Sequence, residues 1–412
     1  MVNGLFKRSE EILEEAKRRD LTSEELLALK SRTYYPAIKL LGLCKGEKEE
    51  NKESYVRTAY NIFRAIDECE DVPIRRTDKT EREIINTRMQ MLNRISYIVG
   101  EIAKKSYQNG KGLTAIIESD NLKTVTKWLT ANEPDIEGKV FAEHFGRGVV
   151  LRDFYEIGKE GEVGDKIKTA LDYSVKSMAD GMINFLDKGP IEEIPQLITY
   201  CDYVAGDVGK KFLNELVRLK DKDKDGKPIE LSADNATQLA RYLQLTNIIK
   251  NIRCDYDERR RFLPGKLLYG DVSYNFMMDG DSNAARGARH SVFDTMVNKI
   301  TGKKLFPSLD YIRSIPDEIS GYKAFCLFPV LLAEKTLETI RTAGPERVFK
   351  GEKEGIKITY GVDKFLEFVH GITTYEEGAN LNRWTEEFQA EPKSFSFKPE
   401  EYEKWVGDWI KK

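Results

Sequence analysis

Helical periodicity runs along almost the whole of this chain, and strand-like alternation is nearly absent from it. In "NATQLARYLQLTNIIKNIRCDYDE" (235–258), "IPQLITYCDYVAGDVGKKFLNELVRLK" (194–220) and "EEILEEAKRRDLTSEELLALKSRTYY" (10–35), apolar side chains recur every three or four residues, the pattern of helices with a buried face. Only "KEGIKITYGV" (353–362) tempts a short strand reading. Such a chain hides its apolar faces by packing helix on helix, so the expected fold class is all-α. The length of 412 residues by itself suggests two or three domains. The breaks at 43–53, 220–228 and 269–290 are polar or Gly-rich and read as surface loops, none of them long enough for a domain linker. No internal repeat is visible, and the simplest organisation is one domain over 1–412.

Composition narrows the function classes. Lys and Arg number 66 against 69 Asp and Glu, which argues against a dedicated nucleic-acid binder with its basic excess. The five cysteines, Cys44, Cys69, Cys201, Cys254 and Cys326, form no CxxC pair, which fits a reducing compartment without a disulfide framework or zinc site. The first twenty residues become charged almost at once, unlike a secretory signal peptide. No window approaches a transmembrane span. The expected location is cytoplasmic. Trp405 and Trp409, four residues apart near the carboxyl end, suit either packing against the body or peripheral contact with a membrane surface. His144, His290 and His370 have no partners at ligand spacing and read as structural or surface residues.

Two helix faces carry the chemistry. "RAIDECEDVP" (64–73) places Asp67, Glu70 and Asp71 at i, i+3 and i+4, one face of a helix that Pro73 should stop. These acids sit at the negative end of the helix dipole and repel one another, so a cation is needed beside them. Hard oxygen donors grouped this way suit Mg²⁺; the alternative is a solvated helix end paired with Arg75 and Arg76. Arg64 and Tyr60 lie one and two turns earlier. The second face is a stripe of Gln244, Asn247, Asn251 and Asp255 on an otherwise apolar helix, with Lys250 beside it and Arg259, Arg260 and Arg261 following. Buried amides without partners cost roughly 1–3 kcal/mol each, so the stripe requires a polar cavity or an interhelical hydrogen-bond network. Two oxygen-rich faces, each near Arg or Lys, are what a Mg²⁺-diphosphate site requires.

The ordered set "SRTYY" (31–35), "AYNIFRAIDECED" (59–71), "KSMADGMINFLDK" (176–188), "YCDYVAGDVG" (200–209) and "LQLTNIIKNIRCDYDERRRFLP" (243–264) resembles the squalene/phytoene synthase family, over about residues 28–358. A C-terminal helical extension, 359–412, lies beyond that stretch. The resemblance implies a class I isoprenoid synthase fold with a central cavity between two metal-binding helices. It also implies head-to-head condensation of two prenyl diphosphates through a cyclopropyl diphosphate.

By matching position, the resemblance assigns Asp67, Glu70, Asp71, Asn251 and Asp255 to metal, and Tyr60, Arg64 and Tyr200 to catalysis. It assigns Ser31, Arg32, Tyr34, Gln244, Asn247, Lys250 and Arg260 to substrate, with Val204, Ala205 and Gly206 lining the prenyl channel. Two acids of the family's second motif are replaced, by Asn251 and Cys254. Asp207 stands where the family has an apolar residue, and either restores charge to the site or faces away.

"GYKAFCLFP" (321–329) and "RVFKGEKEGIKI" (347–358) resemble squalene synthases, which finish by hydride transfer from NADPH. Phe325, Lys350 and Lys357 are the candidate NADPH residues, although lysines in a surface loop also serve simply for solubility. The implied reaction converts two farnesyl diphosphates through presqualene diphosphate to squalene. The alternatives are a non-reductive enzyme making presqualene diphosphate, dehydrosqualene or a phytoene-like product, and a degenerate relative that binds prenyl diphosphates without turnover. Chain length and oligomeric state are not legible.

Overall fold

The structure, a computed structural model, describes residues 9–31, 34–43, 50–71, 80–104, 110–268 and 273–351. Arg32, Lys357, His370, Trp405, Trp409, the 353–362 stretch and the 359–412 extension lie outside them. The described residues form α1 (Ser9–Ala16), α2 (Ser23–Lys30), α3 (Tyr34–Leu43), α4 (Glu50–Asp71), α5 (Glu81–Ala103), α6 (Gly110–Ile117), α7 (Asp120–Asn132), α8 (Ile136–Gly146) and α9 (Val149–Ile157). These are followed by α10 (Glu162–Lys188), α11 (Ile194–Cys201), α12 (Asn214–Lys220), α13 (Ala233–Asp257), α14 (Tyr274–Asp279), α15 (Asn283–Phe293), α16 (Leu305–Ser314) and α17 (Ser320–Lys350). Among the described residues there is no strand beyond one isolated bridge, Lys222 to Pro228.

Side-chain caps start many of these helices. Thr22 and Thr80 form capping boxes with Glu25 and Glu83, and Ser119, Asp135 and Ser232 each accept from the backbone N–H three residues on. Helix α4 begins at Glu50, inside the stretch expected to be a loop, and runs to Asp71, just before Pro73.

The larger departure is at 269–290. Ser273 and Ser282 cap α14 and α15, so part of that Gly-rich stretch is helical. Composition obscured this because the anchoring group is a buried cation. Arg289 is fully buried, its guanidinium donating to the carbonyls of Met277 (2.5 Å) and Gly280 (2.9 Å) and pairing with Glu346 of α17.

Helix α13 is the axis of the molecule. It packs against α16, α17 and the segment after α11, while α4 packs on α3, α5 and α9, and α17 covers α3. That segment is wound as π-helix over Asp202–Gly206 and again over Val208–Leu213. A Cβ at Gly181 of α10 would collide with that of Tyr203, so a glycine is required for α10 and the π turns to approach so closely. No described helix is long and apolar enough to cross a membrane.

Candidate active site

Between α4 and α13 lies a cavity of about 490 Å³. One end is polar, with Lys30, Ser31, Arg64, Asp67, Gln244, Asn247 and Lys250; the remainder is mostly apolar and aromatic.

The first acid face is assembled as its spacing predicts. Asp67, Glu70 and Asp71 offer carboxylate oxygens that all lie within 4.8 Å of one another. It is the one such group of three potential ligands among the described residues. Three converging hard oxygen donors fit Mg²⁺. Burial, with the Asp67 charge, pushes Glu70 up to about 7 against the opposing hydrogen bond from Tyr200. Burial, then Glu258, Glu70 and Asp67, pushes Asp255 up to about 8. Carboxylates crowded this far from their ordinary range are a site that added positive charge relieves.

Cations already face these acids. Arg64 donates from Nη1 to Asp67 (2.6 Å) and from Nε to Glu68 (2.7 Å). Arg260 spans the two motifs, pairing with Asp71 of α4 and with Asp255 (2.7 Å) and Glu258 (2.8 Å) at the end of α13. The preceding residue, Arg259, closes that helix with a positive φ of 61°, unusual without glycine, and the turn brings the Arg260 N–H back to the Asp255 carbonyl at 2.7 Å.

Tyr60 donates to Ser31 Oγ at 2.9 Å, which also accepts from the Tyr34 N–H, and the Tyr34 and Tyr60 rings lie 4.9 Å apart. All three line the cavity. Tyr200 is buried behind the acids, its ring packed between Phe185 and Phe262, and it donates to Glu70 at 2.9 Å. Burial and the Glu70 charge hold its phenol well above the ordinary range, so it is a neutral donor near pH 7.

Other sequence expectations are redistributed. Val204 and Ala205 line the cavity, but Gly206 turns to α13, where a Cβ would stand 3.3 Å from Thr237 Cγ2. The π winding shifts the register that regular helical spacing assumes. Asp207 faces away from the acids, bonded to Ser177 and paired with Lys210 at 2.8 Å. The Asn251 amide donates to Asn247 Oδ1 at 3.2 Å, and the Cys254 thiol to Glu258 at 3.6 Å. Phe325 lines the cavity, whereas Lys350 pairs with Asp281 beyond the end of α14, so the two are not brought together. His144 is buried against the Val140 carbonyl and His290 is exposed.

Sequence reasoning missed the second layer. Lys30 lines the cavity and pairs with Glu68 (2.9 Å) and Glu133 (3.8 Å). Arg64 and Lys30 hold Glu68 at about 2 despite its burial, while burial and Glu68 push Glu133 up to about 8. Glu68 stands within the first motif but off its ligand face, and Glu133 comes from the end of α7, with no signal in its sequence.

Parts of the chain are similar to known proteins. A family model, Squalene/phytoene synthase, matches residues 168–358. Squalene synthase of Dictyostelium discoideum is 28% identical over 226 residues, 50% of this chain and 51% of that protein. Squalene synthase of Schizosaccharomyces pombe is 33% identical over 175 residues, 40% of this chain and 35% of that protein. Over residues 168–358 the chain is similar to the squalene/phytoene synthase family. Its matched segments span about half or less of those relatives. Squalene synthase R6 of Phoma sp. is 33% identical over 138 residues, 32% of this chain and 30% of that protein. Solved structures of TcSQS with the ligands BPH1237 and E5700 each superpose with a TM-score of 0.56 at 20% identity. They cover 97% and 98% of this chain and 98% of theirs, a likeness of fold.

Proposed function

We propose that the protein is a Mg²⁺-dependent prenyltransferase that condenses two prenyl diphosphates head to head through a cyclopropyl diphosphate, and that NADPH carries the product on to squalene. The observation behind this reading is the convergence of Asp67, Glu70 and Asp71 beside Arg64 at the polar end of an otherwise apolar cavity. Mg²⁺ held by these acids, with Asp255 opposite, would supply positive charge to a departing diphosphate.

The chain's own residues account for the rest. Arg64, anchored by Glu68, presents a fixed guanidinium, and Lys250, Asn247, Gln244 and Ser31 offer polar groups to the same end. Burial holds the Lys250 ammonium below its ordinary range, so an arriving diphosphate strengthens its charged form. The apolar walls keep water from an allylic cation, and the Tyr34, Tyr60, Phe63 and Phe212 rings line the same space, where aromatic groups can stabilise it. Tyr200, neutral and committed to Glu70, steadies that carboxyl and is a poor base. The proton lost on ring closure therefore goes to the diphosphate.

Of the candidate NADPH residues, Phe325 lines the cavity, Lys350 is paired with Asp281, and Lys357 lies outside the described residues. Asn251 and Cys254, which stand where the family's second motif has acids, favour a second reading in which the enzyme stops without reduction. The deciding experiment incubates the protein with farnesyl diphosphate and Mg²⁺, with and without NADPH, and identifies the products. Squalene formed only with NADPH supports the first reading. A product set indifferent to NADPH promotes the second. No consumption of the diphosphate rejects both and leaves a binding protein.

A further inference from the structure

The cavity has a measurable length. On α13 its lining runs from Lys250 at the polar end back to Ala236, fourteen residues or about 21 Å at 1.5 Å per residue. On α4 it runs from Asp67 back to Val56, eleven residues or about 16 Å. Both helices have their C-terminal ends at the acids, so the far end lies beside the start of α13.

A hydrogen-bonded panel of bulky side chains stands there. Asn214, which follows the cavity-lining Leu213, donates to the Leu231 carbonyl just before α13. Its Oδ1 accepts from Tyr311 at 2.6 Å, and the Tyr311 hydroxyl lies 3.0 Å from that of Tyr322. Tyr311 and Tyr322 are 2% and 1% exposed, and both face the cavity. Asn214, Leu231 and Ala233 line a separate, open surface groove. The panel thus stands between the far end of the cavity and that groove.

We propose that Tyr311, Tyr322 and Asn214 form the floor that sets prenyl chain length, selecting a three-isoprene diphosphate over a four-isoprene one. This rests on the prenyl diphosphate reading of the site. Each isoprene unit adds four carbon–carbon bonds, roughly 5 Å of extended chain at about 1.5 Å per bond. A diphosphate followed by three units takes up the available length. A fourth unit has to displace the phenols. Those phenols are not free to swing aside, because each hydroxyl is already satisfied inside the panel and moving it strands buried polar groups.

The test measures length discrimination by binding and by turnover. Wild-type protein is titrated with the unreactive thiolodiphosphate analogues of geranyl, farnesyl and geranylgeranyl chains in the presence of Mg²⁺, and assayed with the corresponding diphosphates. Farnesyl is expected to be preferred over geranylgeranyl at least about tenfold, the scale set by an unaccommodated apolar group. Tyr322→Ala should raise the geranylgeranyl-to-farnesyl ratio about tenfold, while Tyr322→Phe, which keeps the bulk and loses only the hydroxyl anchor, should raise it by clearly less. Val56→Phe shortens the cavity from the α4 side without touching the panel. It should shift preference toward geranyl, and it keeps the idea testable should Tyr322→Ala not fold.

A merely structural panel would lower both substrates in proportion, and unchanged ratios in Tyr322→Ala and Val56→Phe overturn the proposal. Length-selective binding without turnover would reject the catalytic reading and leave the floor standing. Turnover of both lengths at equal rates by wild-type protein would do the reverse.

Discussion

Asp67, Glu70, Asp71 and Asp255 face Arg64 and Arg260, and that balance makes individual substitutions informative. Asp67→Asn or Asp71→Asn removes a negative charge from the converging cluster and is expected to lower turnover at least about a hundredfold, the scale of one lost electrostatic stabiliser. Wild-type rates in EDTA, or near-normal rates in either variant, would falsify the metal assignment. Asn251 donates to Asn247 on the cavity side of α13, so Asn251→Asp adds a carboxylate close to Asp255. The expected outcome is equal or tighter Mg²⁺ binding by calorimetry; weaker binding would place Asn251 outside the site.

The sign of the pH dependence follows from the same groups. Glu70 and Asp255 have folded-state values, about 7 and about 8, above those of ordinary carboxylic acids. Their contribution to stability is complete below the ordinary carboxylate range and is lost as pH rises through those values. Without Mg²⁺ the melting temperature should therefore fall between pH 5 and about 8.5. Mg²⁺ competes with these protons, so its affinity should rise over the same interval. Calorimetric titrations at pH 6 and 8 giving the same affinity would contradict this.

At the scale of elements, the segment after α11 and the end of α17 each rely on a feature that helical periodicity does not express. The π turns of Asp202–Gly206 redirect Val204 and Ala205 to the cavity while Gly206 meets α13. Gly181→Val should separate α10 from Tyr203 and lower stability by a few kcal/mol, in the range of an overpacked core, as read by urea denaturation. Arg289 joins α14 and α15 to α17 through two carbonyls and Glu346. Arg289→Met leaves those carbonyls without their donor and is expected to cost about 3 kcal/mol or more. A shift below about 1 kcal/mol would show that the helices are held by apolar contacts such as Met277 and Met278 instead. Neither dependence was readable beforehand: Gly181 resembles any helix glycine, and Arg289 resembles a charge in a polar loop.

The whole molecule places Phe325 on the cavity and Lys350 at the other end of α17, past the kink at Gly344, where φ is 74°. Lys350→Ala should thus leave farnesyl diphosphate consumption unchanged and, where NADPH is used, its KM unaltered. A raised KM for NADPH would mean that the Asp281 pair opens during turnover.

Periodicity determined most of the helices, α14 and α15 excepted, and spacing alone determined that Asp67, Glu70 and Asp71 share a face, because i, i+3 and i+4 neighbours are set by 3.6 residues per turn and need no tertiary information. Gln244, Asn247 and Lys250 were legible for the same reason, as polar groups on a helix otherwise suited to burial. Tertiary structure alone decided that Glu133 of α7 backs Glu68 and Lys30, that Asp207 turns away, and that Tyr311 and Tyr322 meet at the far end of the cavity. Those contacts join residues from 11 to more than 100 positions apart, with no fixed spacing between them. They depend on how α4, α13 and α17 pack against their neighbours, a property of shape and burial that no local pattern of residues encodes.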